Sequence, residues 1–591
     1  MIITKKNIDT MTKKLILLFF VLVSGHAAFA QDSDKVKFGA YGRALQQNTT
    51  LGDDDTLNAD NVSKGHVLVD LGININPDKR TEVQAIIRMR SDIGGFYTAG
   101  SALQLRQLYI KGLFGKYFSY QVGDLYLQMS PYTYYNSNAE GTINEGRIFS
   151  DFRRDYTNYE NLSNRGNSWW QQGASTNFSL AFKDSKIDSM RVDGFFVRNR
   201  PENYLATSPA ALFHAGGRVT LTSTEKMKLV GNYVNLFEIG KTASIDSAIS
   251  NPVASLQLDY TLLNNERTAL RIVGEGGYSQ MVFKNYTDRP SKDGSFIEGA
   301  LKLNLKPSNL LLTAGYSYVD PQFYSSAAQS KRVNFASTPS TFPIYGNDPL
   351  NPNFRTPTIF DMVKDTAVYN QRIVSQLMAF DPTFNNSQAY GKATPNRQGA
   401  NVDVQYKDSA QKVMANVNAA YLTEVVGEGT GNKRNFLVLK VGADFHINKF
   451  INWKKRFIVT TGVRYENTKR AAESGSIGQV DLTSTLIDLG LEVEVLNRLD
   501  VLIGTKFLTA SGNEYIAIRN KYNDITNFST LTAISTTYSN TQSLLAAGLK
   551  YRFSSNTYLT IQDHIFAYKD GNNDLKNYSF NQFLIMFNMN F

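Results

Sequence analysis

Basic side chains recur at alternate positions near the start of the chain, where they would lie on the polar faces of neighbouring β-strands. These cations are Lys37, Arg43, Arg88, Arg90 and Arg106. A row of cations along a narrow pore lowers the energy barrier for anions. The alternative interpretation is that they pair with the nearby carboxylates of Asp70, Asp124 and Glu82 and only supply a polar wall.

A second set of charges is concentrated in one segment, and a third lies on one late strand. The segment contains Arg147, Asp151, Arg153, Arg154, Asp155 and Arg165, with Trp169 and Trp170 at its end. On the late strand, Asp488, Glu492 and Glu494 share one face, which predicts an acidic wall or salt bridges to Lys440. The rings of Trp169, Trp170, Tyr132, Tyr134 and Tyr135 either stack on sugars or, as we favour, form an interfacial aromatic girdle.

The sequence indicates no metal, cofactor or catalytic chemistry. The chain has no cysteine, and His66, His214, His446 and His564 fall in separate segments without metal-ligand spacing. No nucleophile-elbow motif accompanies its serines and histidines. We therefore predict that the protein is not an enzyme and binds no cofactor.

Alternation with a period of two residues runs through the chain and predicts β-strands. Between residues 66 and 76, Val67, Val69, Leu71, Ile73 and Ile75 point one way, and His66, Asp70, Asn74 and Asn76 point the other. One apolar and one polar face suit a strand with lipid on one side and a lumen on the other. Roughly twenty such segments favour a transmembrane barrel over a soluble sandwich, whose strands are shorter.

The connections alternate between short and long, which predicts the number of strands. Short turns are expected near residues 77–80, 114–117, 183–187, 223–226, 262–267, 305–308, 408–411, 448–455, 495–499 and 553–556. Ten short turns and both termini on one side imply about 22 strands, within a range of 16–22. We predict an all-β, antiparallel, up-and-down barrel with an even strand number and periplasmic termini.

Both ends of the chain carry export features. Lys13 and Lys14 precede the apolar run 15–23, and Ala28 and Ala30 are the small residues expected just before a cleavage site, so residues 1–30 are a predicted signal peptide. Residues 31–591 then form a single barrel domain. The last strand places Phe583, Ile585, Phe587, Met589 and Phe591 on one face and Gln582, Asn588 and Asn590 on the other.

Two connections, at about 130–172 and 321–397, are much longer than the others. The second contains eight of the 15 prolines. Apolar residues recur there at roughly helical spacing: Phe360, Val363, Val368, Ile373 and Leu377. We therefore predict a short helix between Ile359 and Met378, which would plug the lumen or cap the barrel.

These features resemble the large porin-like outer-membrane barrels of Gram-negative bacteria. The opening strand 36–43 and the hairpin 106–124 are similar to early strands of sugar- and anion-type porins. Phe587, Met589 and Phe591 resemble the β-signal that the barrel-assembly machinery reads. The resemblance implies that a long loop folds into the lumen as a constriction, which makes Arg147, Asp151, Arg153, Arg154 and Asp155 its candidate residues; the alternative is a solvated surface loop.

Two functions remain open at this point. The first is passive diffusion of small hydrophilic solutes through the outer membrane, with a mild preference for anions. The second is a non-conducting subunit or scaffold of an outer-membrane assembly or secretion complex, plugged by the 321–397 loop. Expected partners are outer-membrane lipid and lipopolysaccharide, the assembly machinery and other outer-membrane proteins or lipoproteins, and no nucleic acid is expected.

Overall fold

The structure is a computed structural model. It describes residues 35–52, 61–93, 101–135, 141–162, 169–183, 185–200, 211–223, 226–239, 249–283, 290–329, 358–364, 373, 375–377, 380–473, 478–515, 517–520, 522–528 and 537–590.

Twenty-two antiparallel strands close into one barrel. In chain order they are β1 (Val36–Leu51), β2 (Asn61–Asp78), β3 (Thr81–Asp92), β4 (Ser101–Phe114), β5 (Phe118–Leu127), β6 (Trp169–Ala181), β7 (Ser189–Arg200), β8 (Ala211–Ser223), β9 (Met227–Ile239), β10 (Ile249–Asn264), β11 (Thr268–Phe283), β12 (Lys292–Leu305), β13 (Leu310–Val319), β15 (Arg397–Lys407), β16 (Val413–Thr423), β17 (Asn435–His446), β18 (Phe457–Arg470), β19 (Val480–Leu496), β20 (Leu499–Asn513), β23 (Thr537–Arg552), β24 (Thr557–Asp570) and β25 (Tyr578–Asn590). Each strand pairs with its neighbour in the chain, and β1 pairs with β25 to close the cylinder. The predicted fold class and strand number are confirmed.

Three short strands lie outside the barrel sheet: β14 (Ala389–Lys392), β21 (Ala517–Arg519) and β22 (Ile525–Phe528). The α-helices of the described residues are α1 (Arg147–Phe152), α2 (Tyr159–Leu162), α3 (Ile359–Lys364), α4 (Pro382–Asn385) and α5 (Ile447–Phe450), and a π-helical stretch (Arg153–Asn158) joins α1 to α2. Single turns of 3-10 helix span Lys306–Ser308, Ser326–Ala328 and Asp574–Lys576. None of the helices in the described ranges is long and apolar enough to cross a membrane.

All ten predicted short turns are present, and they lie at one end of the barrel together with both ends of the barrel chain. Val36 opposes Ile75, close to the turn at 79–80. At the other terminus, the Asn590 amide donates to the Asn556 carbonyl in the turn at 553–556, at 3.1 Å. That this end faces the periplasm stays a prediction.

The two faces of the barrel wall differ as the alternation predicts. Outward side chains such as Leu103 and Ile297 are 74% and 62% exposed, because lipid is their natural surrounding. Inward charged side chains such as Arg43, Asp70 and Arg464 are at most 3% exposed. Buried charges need partners, and the two long connections supply some of these, such as Glu160 for Arg43 and Glu145 for Lys506.

The described parts of those two connections fold into the lumen. The first lumen loop is defined as residues 128–168, between β5 and β6, and the second as residues 320–396, between β13 and β15. Their apolar residues form shared clusters with inward residues of the wall. The largest cluster contains Ile148, Phe149, Ile359, Phe360, Val363, Phe384, Leu486, Leu502, Leu508, Leu544, Ala546, Phe566, Tyr578 and Phe580.

Candidate pore constriction

The first lumen loop contacts the inner wall on several sides of the barrel. In chain order, its contacts include Tyr134 stacked on His214 of β8 (ring centroids 4.7 Å apart), Asn144 with Asn416 of β16 (3.3 Å), Asp151 with Lys550 of β23 (2.8 Å) and Glu160 with Arg88 of β3 (2.5 Å). The loop therefore crosses from its own strands to the far wall and continues around to β1–β4. It occupies part of the lumen, and its role as the constriction that the resemblance implied stays a prediction.

Local sequence explains why the middle of this loop is helical. Ile148, Phe149, Phe152 and Tyr156 recur at helical spacing and turn one apolar face to the wall. Glycines in the wall allow the close approach: a Cβ on Gly490 would lie 2.4 Å from Gly146 Cα, and one on Gly504 would lie 2.5 Å from Ile148 Cγ2. A side chain at either wall position would displace the loop.

Where the loop reaches β1–β4, five charged residues form a cluster that we call the arginine latch: Arg43, Asp70, Arg88, Arg106 and Glu160. Arg88 donates to both carboxylate oxygens of Asp70, at 2.7 and 2.8 Å. Glu160, the residue supplied by the loop, accepts from Arg43 and from Arg88 (2.5 Å), with Arg106 3.8 Å away. Three guanidinium groups of the wall thus hold one carboxylate of the loop.

Tyr159 and a β-bulge complete the latch. The Tyr159 hydroxyl donates to Asp70 at 2.5 Å, and its ring lies under the Arg106 guanidinium, 4.2 Å from the centroid. Ile86 and Ile87 of β3 oppose Gln107 and Leu105, so Arg106 is the extra residue of a bulge in β4. The bulge turns both Arg106 and Gln107 inward, where they are 8% and 2% exposed.

The electrostatics of the latch favour an ionised Glu160. Burial raises the pKa of this carboxyl, but Arg43 and Arg88 outweigh burial and lower the pKa from its ordinary value of 4.5 to about 2. With three arginines and two carboxylates, the latch keeps an excess of one positive charge.

The opposite side of the loop is held by a second ion-pair group on β19, β20 and β23. Lys506 donates to Glu145 at 2.6 Å and to Asp488, and Arg153 also donates to Glu145. Nearby, Glu492 lies 3.9 Å from Arg147. In the loop, burial raises the pKa of Asp151, but the Lys550 ammonium and the Arg154 guanidinium outweigh burial, so the net shift of this pKa is downward.

Two cavities lie on the β1–β8 side of the lumen, one on each side of the arginine latch. The larger, about 630 Å³, is near the short-turn end; the smaller, about 260 Å³, is bounded by the β1–β3 wall and Tyr156. Along β3, the inward row runs from Glu82 in the larger cavity through Arg88 in the latch to Arg90 in the smaller one. The latch therefore separates the two cavities.

The second lumen loop is anchored on the strands that lie away from these cavities. The Ile359 amide donates to Gln542 Oε1 at 2.8 Å, and the Phe360 ring meets Phe580 with centroids 4.6 Å apart. The two loops also touch each other, because Thr157 donates to the Val363 carbonyl at 2.8 Å. Helix α3 confirms the first part of the helix predicted between Ile359 and Met378.

A buried charge network holds the far end of the second loop. Arg434 donates to Glu424 at 2.7 Å and to Glu514 at 3.0 Å. Asn386 of the loop donates to the other Glu514 oxygen at 2.5 Å. The described parts of this loop are therefore packed into the barrel rather than lying over its mouth.

Some predicted wall residues lie apart from the latch. Lys37 is exposed near the short-turn end, and Arg90 pairs with Asp92 at 2.9 Å. Asp124 accepts from the Leu108 amide at 2.5 Å and so binds backbone as well as facing the lumen. Lys440 lies on the inward row of β17, and Glu494 pairs with Arg552 at 3.0 Å.

The remaining loop and strand predictions divide into three groups. Arg154 bridges Asp151 (2.9 Å) and Asp155 (2.7 Å), so the aspartates do hold it, but inside the barrel instead of on a solvated surface loop. Phe587 and Met589 occupy the outward face of β25 as expected. Arg165, Phe591 and the indole rings of Trp169 and Trp170 lie outside the described residues.

The girdle interpretation is wrong for two tyrosines. Tyr132 and Tyr134 are 1% and 0% exposed and pack inside the lumen against Phe296 and His214. An interfacial girdle would require them to face lipid. They belong to the apolar base of the first lumen loop.

Sequence reasoning missed several residues that complete the latch and the ion-pair groups: Tyr159, Glu160, Glu145, Lys506 and Lys550. The signal for the first two was the helical spacing of apolar residues in the first lumen loop, which brings Glu160 onto an ordered element. Lys506 had a weaker signal, as the inward neighbour of Asp488 across β19 and β20.

No family model and no curated protein matches the sequence. Among solved structures, similar folds include a BenF-like porin from Pseudomonas fluorescens Pf-5 (7% identity, TM-score 0.34) and Pseudomonas aeruginosa OccK8 (OprE) (10%, 0.35), each over 94% of this chain and 99% of the other. The P pilus usher (PapC) translocation pore is also similar (9%, 0.33; 93% and 99% covered). The closed 22-strand barrel with an apolar exterior is itself the architecture of a large porin-like outer-membrane protein.

Proposed function

We propose that the protein is an outer-membrane channel for the passive diffusion of small hydrophilic solutes, held narrow by its two lumen loops. The observation that carries this proposal is the pair of cavities on the β1–β8 side, both lined in part by charged side chains and separated by the arginine latch. Solutes would move along this side, and the latch would set the resistance. The opposite side, filled by the second lumen loop, would support the constriction.

The charges along this route favour anions. The larger cavity is lined by five cations and two carboxylates: Lys79, Arg80, Lys111, Arg191, Arg218, Glu82 and Asp193. The arginine latch adds a further excess of one cation. A route with more cations than carboxylates lowers the barrier for anionic solutes.

The alternative is a non-conducting barrel that serves as a subunit or scaffold of an outer-membrane assembly or secretion complex. The apolar cluster around α3 favours it, because Phe360, Val363 and their neighbours are buried more fully than a water-filled pore requires. In that case the second lumen loop is a permanent plug.

Single-channel recording in a planar bilayer separates the two proposals. The intact barrel is compared with a variant in which residues 321–396 are replaced by a short Gly/Ser turn. Steady anion-selective current from the intact protein supports the channel. An intact protein that stays silent, together with large currents after the replacement, would refute the channel and favour the plugged scaffold.

The cellular context follows from the same proposal. We propose insertion into the outer membrane by the barrel-assembly machinery through the strand that ends with Phe587, Met589 and Phe591. Contacts with lipopolysaccharide are proposed at the end that carries the long loops. We propose no catalytic activity.

A further inference from the structure

The ten short turns carry most of the net positive charge of the chain. Taken between the observed strand ends, they contain 14 Lys and Arg but five Asp and Glu. Residues 31–591 contain 58 and 51, which leaves 44 basic and 46 acidic residues outside the turns. The end of the barrel with the termini is therefore a basic rim on a nearly neutral body.

The turn between β17 and β18, residues 447–456, is the most unusual part of this rim. It is the longest of the ten, and it contains Lys449, Lys454, Lys455 and Arg456 without any acidic residue. It also exposes three large apolar side chains: Phe450 (49%), Ile451 (60%) and Trp453 (38%). Exposed apolar and cationic groups in one short segment are typical of a surface that enters a membrane interface.

The turn lies against the outer face of the barrel. The Trp453 ring packs edge-on against Phe457, with centroids 6.4 Å apart, and Phe457 begins the outward row of β18. Lys455 donates to the carbonyl of Val495 at 2.5 Å, and Val495 belongs to the outward row of β19. The apolar patch of the turn thus continues the lipid-facing wall past the strand ends.

The lysines of the turn retain capacity for a further partner. Lys449 donates to the Ala410 carbonyl at 3.1 Å and to Gln411 Oε1 at 3.4 Å, and an ammonium group has a third proton to donate. Lys454 is exposed to solvent. Cations that project beside an apolar patch at the membrane boundary match the phosphates of lipid headgroups.

We propose that the turn 447–456 is a binding surface for the headgroups of anionic phospholipids in the adjacent leaflet, with Trp453 and Phe450 in the interfacial layer. A soluble protein partner fits less well, because the apolar patch is continuous with the lipid-facing wall. The proposal requires a barrel in a membrane and is independent of conduction.

Selective quenching of Trp453 tests this proposal. The chain has three tryptophans, so a W169F/W170F variant leaves Trp453 as the only indole. The full-length barrel is reconstituted in phosphatidylcholine vesicles that contain the same minor fraction of either brominated phosphatidylglycerol or brominated phosphatidylcholine. We expect brominated phosphatidylglycerol to quench Trp453 as if it were about fivefold more abundant next to the turn than brominated phosphatidylcholine, because one lysine near an anionic surface contributes about 1 kcal/mol. High salt should abolish this preference.

A K449Q/K454Q/K455Q variant is expected to abolish the preference while bromine still quenches Trp453. A K183Q/K186Q variant is the matched control, since the turn 182–188 also carries two lysines but balances them with two aspartates. Each variant is run unheated on a denaturing gel, where a folded barrel resists unfolding, to check that it forms a barrel. Equal quenching by both brominated lipids in the W169F/W170F parent would contradict the preference for anionic lipid. Absence of quenching by either lipid would place the turn in water and refute the whole proposal.

Discussion

Replacement of Glu160 by glutamine should loosen the arginine latch while changing few atoms. The three guanidiniums lower the pKa of Glu160 from 4.5 to about 2, which corresponds to about 3 kcal/mol in favour of the ionised form. The carboxylate is 16% exposed, so solvent screens it little. A glutamine amide oxygen still accepts a hydrogen bond, so we expect a loss of about 2 kcal/mol, or about 30-fold in the equilibrium between docked and released loop.

The assay is the open probability of single channels, with ion selectivity measured on the same recordings. E160Q should increase the open probability and also the anion preference, because the latch then has three arginines against one aspartate. Glu473→Gln is the matched control, since Glu473 accepts from the Gly431 amide at an exposed site. Unchanged opening in E160Q, with normal folding, would refute the role of the latch.

The same reasoning predicts a pH dependence. The pKa of Glu160 is lowered in the docked state, so its stabilising contribution is present above about pH 4.5 and disappears as the pH falls towards 2. Opening of the parent channel should therefore rise over that window. Because E160Q has no proton to gain at this position, its opening should respond less to acid than that of the parent.

Three further variants test the packing of the loops. Gly490→Val should displace the first lumen loop and increase conductance, since its side chain would overlap Gly146, whereas Gly299→Val, with no atom within 4 Å of the added Cβ, should not. Arg434→Met should leave two buried carboxylates unpaired, cost about 3–5 kcal/mol and make the second lumen loop sensitive to protease. Lys364→Met should raise the free energy of unfolding by about 1–2 kcal/mol at neutral pH, because burial lowers the pKa of Lys364. The stability of the parent should rise as the pH approaches 10.5, whereas that of the variant should not. Urea unfolding of both proteins measures the difference.

The barrel was predictable from sequence because its constraints are local. In a strand such as β2, the alternation of apolar and polar residues predicts which side chains face outward and which face inward. Each short turn predicts the end of a hairpin. The number of strands follows from counting those turns. The β-bulge at Arg106 was missed although the sequence carries a signal for it: Leu103 and Leu105 occupy odd positions of β4, whereas Leu108 and Ile110 occupy even ones. The apolar row therefore changes phase at Arg106, where the pairing with β3 places the bulge.

The contents of the lumen were harder to predict, because ion pairs such as Glu160 with Arg43 join residues more than a hundred positions apart. Even so, the chain holds one indication that the lumen is filled. Leu486, Leu502 and Leu544 lie on inward rows, so parts of β19, β20 and β23 are apolar on both faces. Water in the lumen would disfavour that pattern, whereas a packed loop requires it.

By contrast, the inward rows of β1–β4 are rich in charges, and both cavities lie on that side. If the protein is the proposed channel, this difference between the two walls predicts that solutes pass along β1–β4. Exchanging Phe580 for serine, which removes the contact with the Phe360 ring at 4.6 Å, should weaken the second lumen loop without altering selectivity along β1–β4.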